Sequence, residues 1–286
     1  MIPMNKDTNK DKIARLQEFT LLFDTAWATY KAHFLRLLKV NSLPVIAVTA
    51  LLAIFPFIGD FQTIVEYLQA GDIVRILALI FGISTLVVGI SSLNYIAQIR
   101  VVSSEEEVST ISTYEYASKF LFSYIWVLIL TGLCILAGFI LLIVPGIVVA
   151  VWLSLTSFVL ITGKAKGLEA LRMSKKYVRG IWLQVFVRLL AAAFLGMLVS
   201  SAFAILQSFI KDIFGANLYF ENILNLVYQL VVAPYFVVYG YELYKDVVRA
   251  NEVEEVITEV AVEGVSVGGD TSASVTDTEV GQKTIE

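Results

Sequence analysis

Cysteine and histidine are almost missing from this chain: Cys134 and His33 are the only ones. A lone cysteine excludes an internal disulfide, and no CxxC spacing offers a metal or redox centre. A metal would have to rest on carboxylates alone, and the long apolar runs hold almost none. Charge is thin as well, at 16% of residues against about 25% in an ordinary soluble domain. There is no HExxH, no GxSxG and no glycine-rich loop opening a helix. His33 has no Asp or Ser arranged for catalysis and no second His to share a metal. Neither an enzyme nor a resident cofactor or metal is expected.

What the chain has in excess is apolar surface. Of its 286 residues, 58% are hydrophobic, and the mean hydropathy is +0.78. The excess is concentrated in runs long enough to cross a hydrocarbon core of roughly 30 Å, which takes about 20 helical residues. The pattern predicts an all-α polytopic membrane bundle of about six transmembrane helices. The spans are placed at 43–58, 73–99, 120–144, 147–162, 181–210 and 223–244. Pro56, with Gly59 and Asp60, is expected to bend and close the first span. Pro145-Gly146 is expected to make the tight turn between the third and fourth. Pro234 is expected to kink the sixth. No cleavable signal peptide is expected, so the first span would direct insertion itself.

The overall charge of −4 hides two opposite regions. Residues 251–286 carry nine acids and one base, Lys283, whereas residues 1–250 carry 16 acids and 20 bases. Three domains follow: an N-terminal segment (1–42), the transmembrane domain (43–250) and an acidic tail (251–286). The tail has few aromatics and is expected to be disordered. Its Glu259–Val262 alternation also suits a strand added to a partner. Nucleic acid is not an expected partner. The bases instead mark topology. Seven Lys or Arg precede the first span and six lie between the fourth and fifth, while the opposite side has only Arg75 and Lys211. The positive-inside rule then places both termini in the cytoplasm and the chain in the plasma membrane.

A basic or aromatic amphipathic stretch precedes the first, third and fifth spans, at 18–40, 113–122 and 167–180. Three parallel two-span repeats are therefore an architectural expectation. The first and last stretches are read as interfacial helices. In the last, Lys175, Lys176 and Arg179 would face anionic lipid. Plain anchoring and regulatory lipid binding are both open there.

Polar residues within the spans are the candidate functional positions. Arg188 lies about 10 Å into the fifth span. Snorkelling, a structural pair with Glu242 and a functional charge all fit it. Ser91, Ser92, Asn94 and Gln98 cluster near one end of the second span. With Gln184, Tyr228 and Gln229, they could line a cavity or bond between helices. Ala192, Gly196, Ser200 and Ala204 put a small residue at every fourth position. Such a stripe admits another span or another subunit at close range.

Three stretches resemble one family: Leu141-Leu142-Ile143-Val144-Pro145-Gly146-Ile147; Gly167-Leu168-Glu169-Ala170-Leu171-Arg172-Met173-Ser174, running on to Val178-Arg179-Gly180; and Tyr241-Glu242-Leu243-Tyr244-Lys245-Asp246. Together they look like the membrane domain attached to some glycerophosphodiester phosphodiesterases and its free-standing six-helix bacterial relatives, over roughly residues 18–250. The resemblance implies a helical membrane module. It carries over no catalytic residue, because in the fused proteins the chemistry belongs to a separate soluble barrel. The sequence therefore favours a non-enzymatic scaffold or regulatory module with a membrane-protein partner or a second copy. The alternative is a carrier or channel for a small molecule or lipid.

Overall fold

In the lipid phase a backbone must satisfy its own hydrogen bonds, and a helix does so within one segment. The computed structural model describes residues 16–54, 65, 73–104, 108–214 and 218–268, and among them no strand occurs. Nine α-helices are described, some joining into longer rods: α1 Phe19–Ile54, α2 Ile73–Ser103, α3 Thr110–Leu141, α4 Ile143–Leu153, α5 Thr156–Ile161, α6 Leu168–Val178, α7 Trp182–Phe214, α8 Leu218–Val227 and α9 Ala233–Gly268. A π turn, Tyr228–Val232, joins α8 to α9. Six rods are long and apolar enough to cross a membrane: α1, α2, α3, α4 with α5, α7, and α8 with α9. The fold is an all-α six-helix membrane bundle.

The expected interfacial helix at 18–40 is not separate. α1 runs unbroken for 36 residues, about 54 Å, and Pro44 lies inside it. The missing proline N–H would leave the carbonyl four residues back, that of Val40, without its helical donor. The Tyr114 hydroxyl of α3 donates to the Val40 oxygen and replaces that bond. Leu22, Ala26, Tyr30, Leu37, Val40 and Val45 are buried at helical spacing, so the apolar stripe faces the protein core. Residues 113–122 are likewise the opening turns of α3. Of the three amphipathic stretches, only the one at 167–180 forms its own helix, α6.

The turn between the third and fourth spans falls at Leu142, not at Pro145-Gly146. Leu142 is extended and caps both α3 and α4, and Pro145 sits in the first turn of α4, where its missing N–H costs nothing. Gly146 serves close approach instead. A Cβ there would come within 2.6 Å of the Phe139 ring, and one on Gly138 within 2.9 Å of the Gly146 Cα. The fourth rod is broken at Ser154–Leu155. It is also the most enclosed, with 44% of its apolar window buried against 6% for α7.

Beyond Ala250 the helix continues to Gly268, where disorder was expected from composition. The segment has no proline and no glycine before Gly264, so a helix already nucleated by α9 propagates through it. It covers Glu259–Val262, the alternative strand. Residues 1–15, 269–286, Pro56, Gly59 and Asp60, and the side chain of Arg75, lie outside the described residues.

Candidate functional site: polar joints and an amide-lined pocket

The first joint forms around Pro234. The π turn carries the Ala233 N–H to the Tyr228 carbonyl, five residues back. In that register the next N–H would reach Gln229, but residue 234 is proline and has none. Asn41 of α1 supplies the missing donor, its Nδ2 reaching the Gln229 oxygen at 2.7 Å. The Tyr30 hydroxyl donates to the neighbouring Val231 oxygen. Two prolines in two spans are thus each accommodated by a side chain from another helix.

Asn41 then organises its surroundings. Its Oδ1 accepts from Asn94 Nδ2 and, at 3.2 Å, from Gln98 Nε2. Ser91, Asn94, Tyr95 and Gln98 of α2, Pro44, Val45 and Val48 of α1, and Gln229 line a half-open pocket of about 150 Å³. The carbonyl oxygens Asn94 Oδ1 and Gln98 Oε1 are buried with no hydrogen-bond partner among the described residues. Of the expected polar group, Ser91, Asn94, Gln98 and Gln229 come together. Tyr228 instead meets Ser200 at 2.9 Å, and Gln184 accepts weakly from Arg188 through its backbone oxygen.

The second joint holds Arg188. Its Nη2 donates to the Gln17 carbonyl at 2.6 Å. The Gln17 N–H in turn faces both Asp246 carboxylate oxygens at 3.2 Å. The backbone of one residue therefore links the buried guanidinium to a buried carboxylate, and Arg249 completes the set by pairing with Asp246 at 2.9 Å. The expected Arg188–Glu242 pair does not form. Glu242 accepts from Thr29 at 2.8 Å and pairs with Lys245 at 2.7 Å. The reason is position along the helix: Asp246 lies one turn beyond Glu242 on the same side of α9 and meets the chain entering α1. Arg188 does not line the pocket.

The third joint docks α6. Ala170, Leu171 and Ser174 are buried, and the Ser174 hydroxyl donates to the Trp152 carbonyl at 2.7 Å. Asn251 Nδ2 donates to the Tyr177 carbonyl at 3.1 Å, and Lys164 pairs with Glu252 at 2.8 Å. Burial works to lower the Lys164 pKa. The Glu252 hydrogen bond and charge, with Tyr177 and Tyr244, outweigh it and leave the ammonium raised. Lys175 sits over the Trp152 ring at 4.5 Å. Arg172, Lys175, Lys176 and Arg179 share the exposed face of this segment.

The small-residue stripe is partly used within the chain. A Cβ on Gly196 would meet the Phe236 ring at 3.3 Å, Ser200 bonds Tyr228, and Ala192 is half-buried while Ala204 is exposed. His33 Nδ1 lies 3.0 Å from the Thr29 carbonyl, and Cys134 is exposed. Among the described residues, no three His, Cys, Asp or Glu side chains gather where they could hold a metal.

Sequence reasoning missed Gln17, Tyr30, Asn41, Asp246 and Asn251. The signal for Asn41 was its place three residues before a proline in an apolar run. Gln17 serves through its backbone, which no side-chain pattern reports. No known protein family matches this chain, and no curated protein or solved structure matches it.

Proposed function

We propose that this protein is a non-enzymatic membrane scaffold that holds a stiff helical arm for a partner protein. The observation that carries this reading is the last helix. α9 leaves a packed, polar-stapled part of the bundle and runs without a break to Gly268. From Arg249, where a basic anchor would meet headgroups, the arm continues for about 28 Å at 1.5 Å per residue. The buried carboxylates Glu242 and Asp246 are each bound by a cation and a fixed donor, which suits a structural role.

In this reading the arm and both chain ends are cytoplasmic and the membrane is the plasma membrane, which the basic connections support. The exposed basic face around α6 would then meet anionic lipid. The resemblance to the membrane domain of glycerophosphodiester phosphodiesterases supports the same reading. The Ala170-Leu171-x-x-Ser174 and Tyr241–Asp246 motifs supply buried joints, as a frame does. A carrier remains the second reading, favoured by the amide-lined pocket.

The test is native mass spectrometry on gently extracted protein, full length and truncated after Val253. That cut keeps the Asn251 and Glu252 contacts that clamp α6. A stoichiometric protein subunit present with the full chain and lost on truncation is expected. Identical, partner-free spectra from both forms would overturn the scaffold reading.

A further inference from the structure

We propose that the rod formed by α8 and α9 is a two-register helix: Asn41 latches its π turn, and releasing that latch turns α8 by one residue position against α7.

A proline leaves one carbonyl of its helix bare, and the register decides which. In the π register the Ala233 N–H reaches Tyr228, and the bare carbonyl is that of Gln229. In an α register the Ala233 N–H would reach Gln229 instead, and the bare carbonyl would be that of Leu230. The two carbonyls lie about 100° apart around the helix. Asn41 donates to Gln229 at 2.7 Å, so it serves the bare carbonyl of the π register only. Its orientation is fixed from the other side. Asn94 and Gln98 of α2 both donate to Asn41 Oδ1, which leaves the NH₂ group to face Gln229. The register of this rod is thereby tied to the seating of α2 on α1.

The extra residue taken up by the π turn sets how α8 faces α7. Tyr228 meets Ser200 at 2.9 Å and the Phe203 ring at 5.2 Å, and Asn225 meets Gln207 at 3.0 Å. Returning the turn to α geometry rotates α8 by about 100° and shifts it by about 1.5 Å along its axis. Each α8 residue then yields its place to the next in sequence: Gln229 comes to Ser200, and Leu226 to Gln207. The rotation empties no core. No residue of the π turn is buried, and Ile223 and Val227 are exposed, so apolar residues exchange places on a lipid-facing surface. A single π turn at the end of an element is where a helix absorbs such a change.

Thiol crosslinking of the full-length protein in nanodiscs reads the register. Cys134→Ser removes the exposed native thiol. Gln207→Cys is then paired with Asn225→Cys to report the π register, and with Leu226→Cys to report the α register. A short bifunctional methanethiosulfonate joins each pair. With Asn41 present, the Asn225 pair is expected to crosslink well above the Leu226 pair. Asn41→Leu keeps the shape and removes the donor. It should move the ratio about tenfold toward the Leu226 pair, the effect of one hydrogen bond. Asn94→Leu loosens the grip of α2 on the latch and should move the ratio the same way. It decides the matter if Asn41→Leu does not fold. Deleting Leu230 removes the extra residue, so the rod becomes α-helical with Asn225 still at Gln207, and Asn41→Leu should then leave the ratio unchanged. Three results would overturn the proposal: equal yields from the two pairs with Asn41 present; a ratio that Asn41→Leu, or Asn94→Leu in its stead, leaves unmoved; or one that Asn41→Leu moves as far after Leu230 is deleted.

Discussion

The half of the bundle that carries the basic connections differs sharply from the far half. Near the basic end, Ile96, Ile99, Leu155, Leu160, Ile181, Tyr239 and Leu243 are all but inaccessible. Their helices are joined by side chain–backbone bonds: Tyr114 to Val40, Tyr116 to Ile161, Ser174 to Trp152, Asn251 to Tyr177 and Tyr239 to Arg188. At the far end, Leu77, Phe81, Leu86, Leu133, Ile140, Phe194, Ile205 and Phe209 are exposed. Among the described residues, interhelical polar contacts there include Gln207–Asn225 at 3.0 Å. In lipid there is no hydrophobic drive between apolar faces, so helices associate only through close packing and polar bonds. The half supplied with such bonds is the half that packs.

The sharpest way to break this contrast is to unmake the Arg188 joint. Asp246→Ala would leave a buried guanidinium and the Gln17 N–H without their carboxylate. A loss of about 3–5 kcal/mol is expected, read as a large fall in the thermal midpoint of the solubilised protein. A loss no larger than that of a surface substitution would show that the joint does not hold the packed half together.

A pair of glycines gives the direct comparison. Gly240→Ala, beside Tyr239 in the packed half, must displace the Phe158 ring, which would lie 2.8 Å from the added Cβ, and should cost about 1–3 kcal/mol. Gly89→Ala in the far half meets nothing within 4 Å. It should be neutral or stabilising by up to about 1 kcal/mol through helix propensity. Equal effects, measured by thermal unfolding in one detergent, would contradict the difference in packing.

The smallest effect belongs to the rim of the packed half. Glu252→Gln removes the Lys164 pair, whose side chains are 35% and 60% exposed, and should cost under about 1 kcal/mol. The Lys164 pKa is raised in the folded protein. The stabilisation is therefore complete below the unfolded lysine pKa and is lost as pH rises through the folded value. Wild type and Glu252→Gln should converge in thermal midpoint at strongly alkaline pH and differ near neutrality.

The six spans were legible because run length against bilayer thickness is a one-dimensional property. The boundaries were less so. The first span was placed from residue 43, since no local feature announces that Tyr114, 70 residues beyond Pro44, will replace the bond that proline loses. Pro145-Gly146 read as a turn because the dipeptide is a turn former, whereas the geometry needs Gly146 bare against Phe139. The polar candidates were partly legible. Asn94 and Gln98 share one helix face at a four-residue spacing, so their meeting was foreseeable, but their joint dependence on Asn41 was not. Arg188 was recognisable as a charge within a span, and of its possible readings the pair with Glu242 fails because the link depends on where along α9 the chain entering α1 passes.

Composition and periodicity by themselves determined that this chain is helical and membrane-spanning and that it holds no HExxH, GxSxG or CxxC spacing. Those properties follow from local hydrophobicity and from residues that are simply absent. Tertiary structure alone decided which half packs, which carboxylate serves Arg188, and that two amide oxygens remain without donors beside a pocket. Each of these depends on the angle and depth at which separate helices meet, and that relation is carried by contacts between distant residues and not by any stretch of sequence.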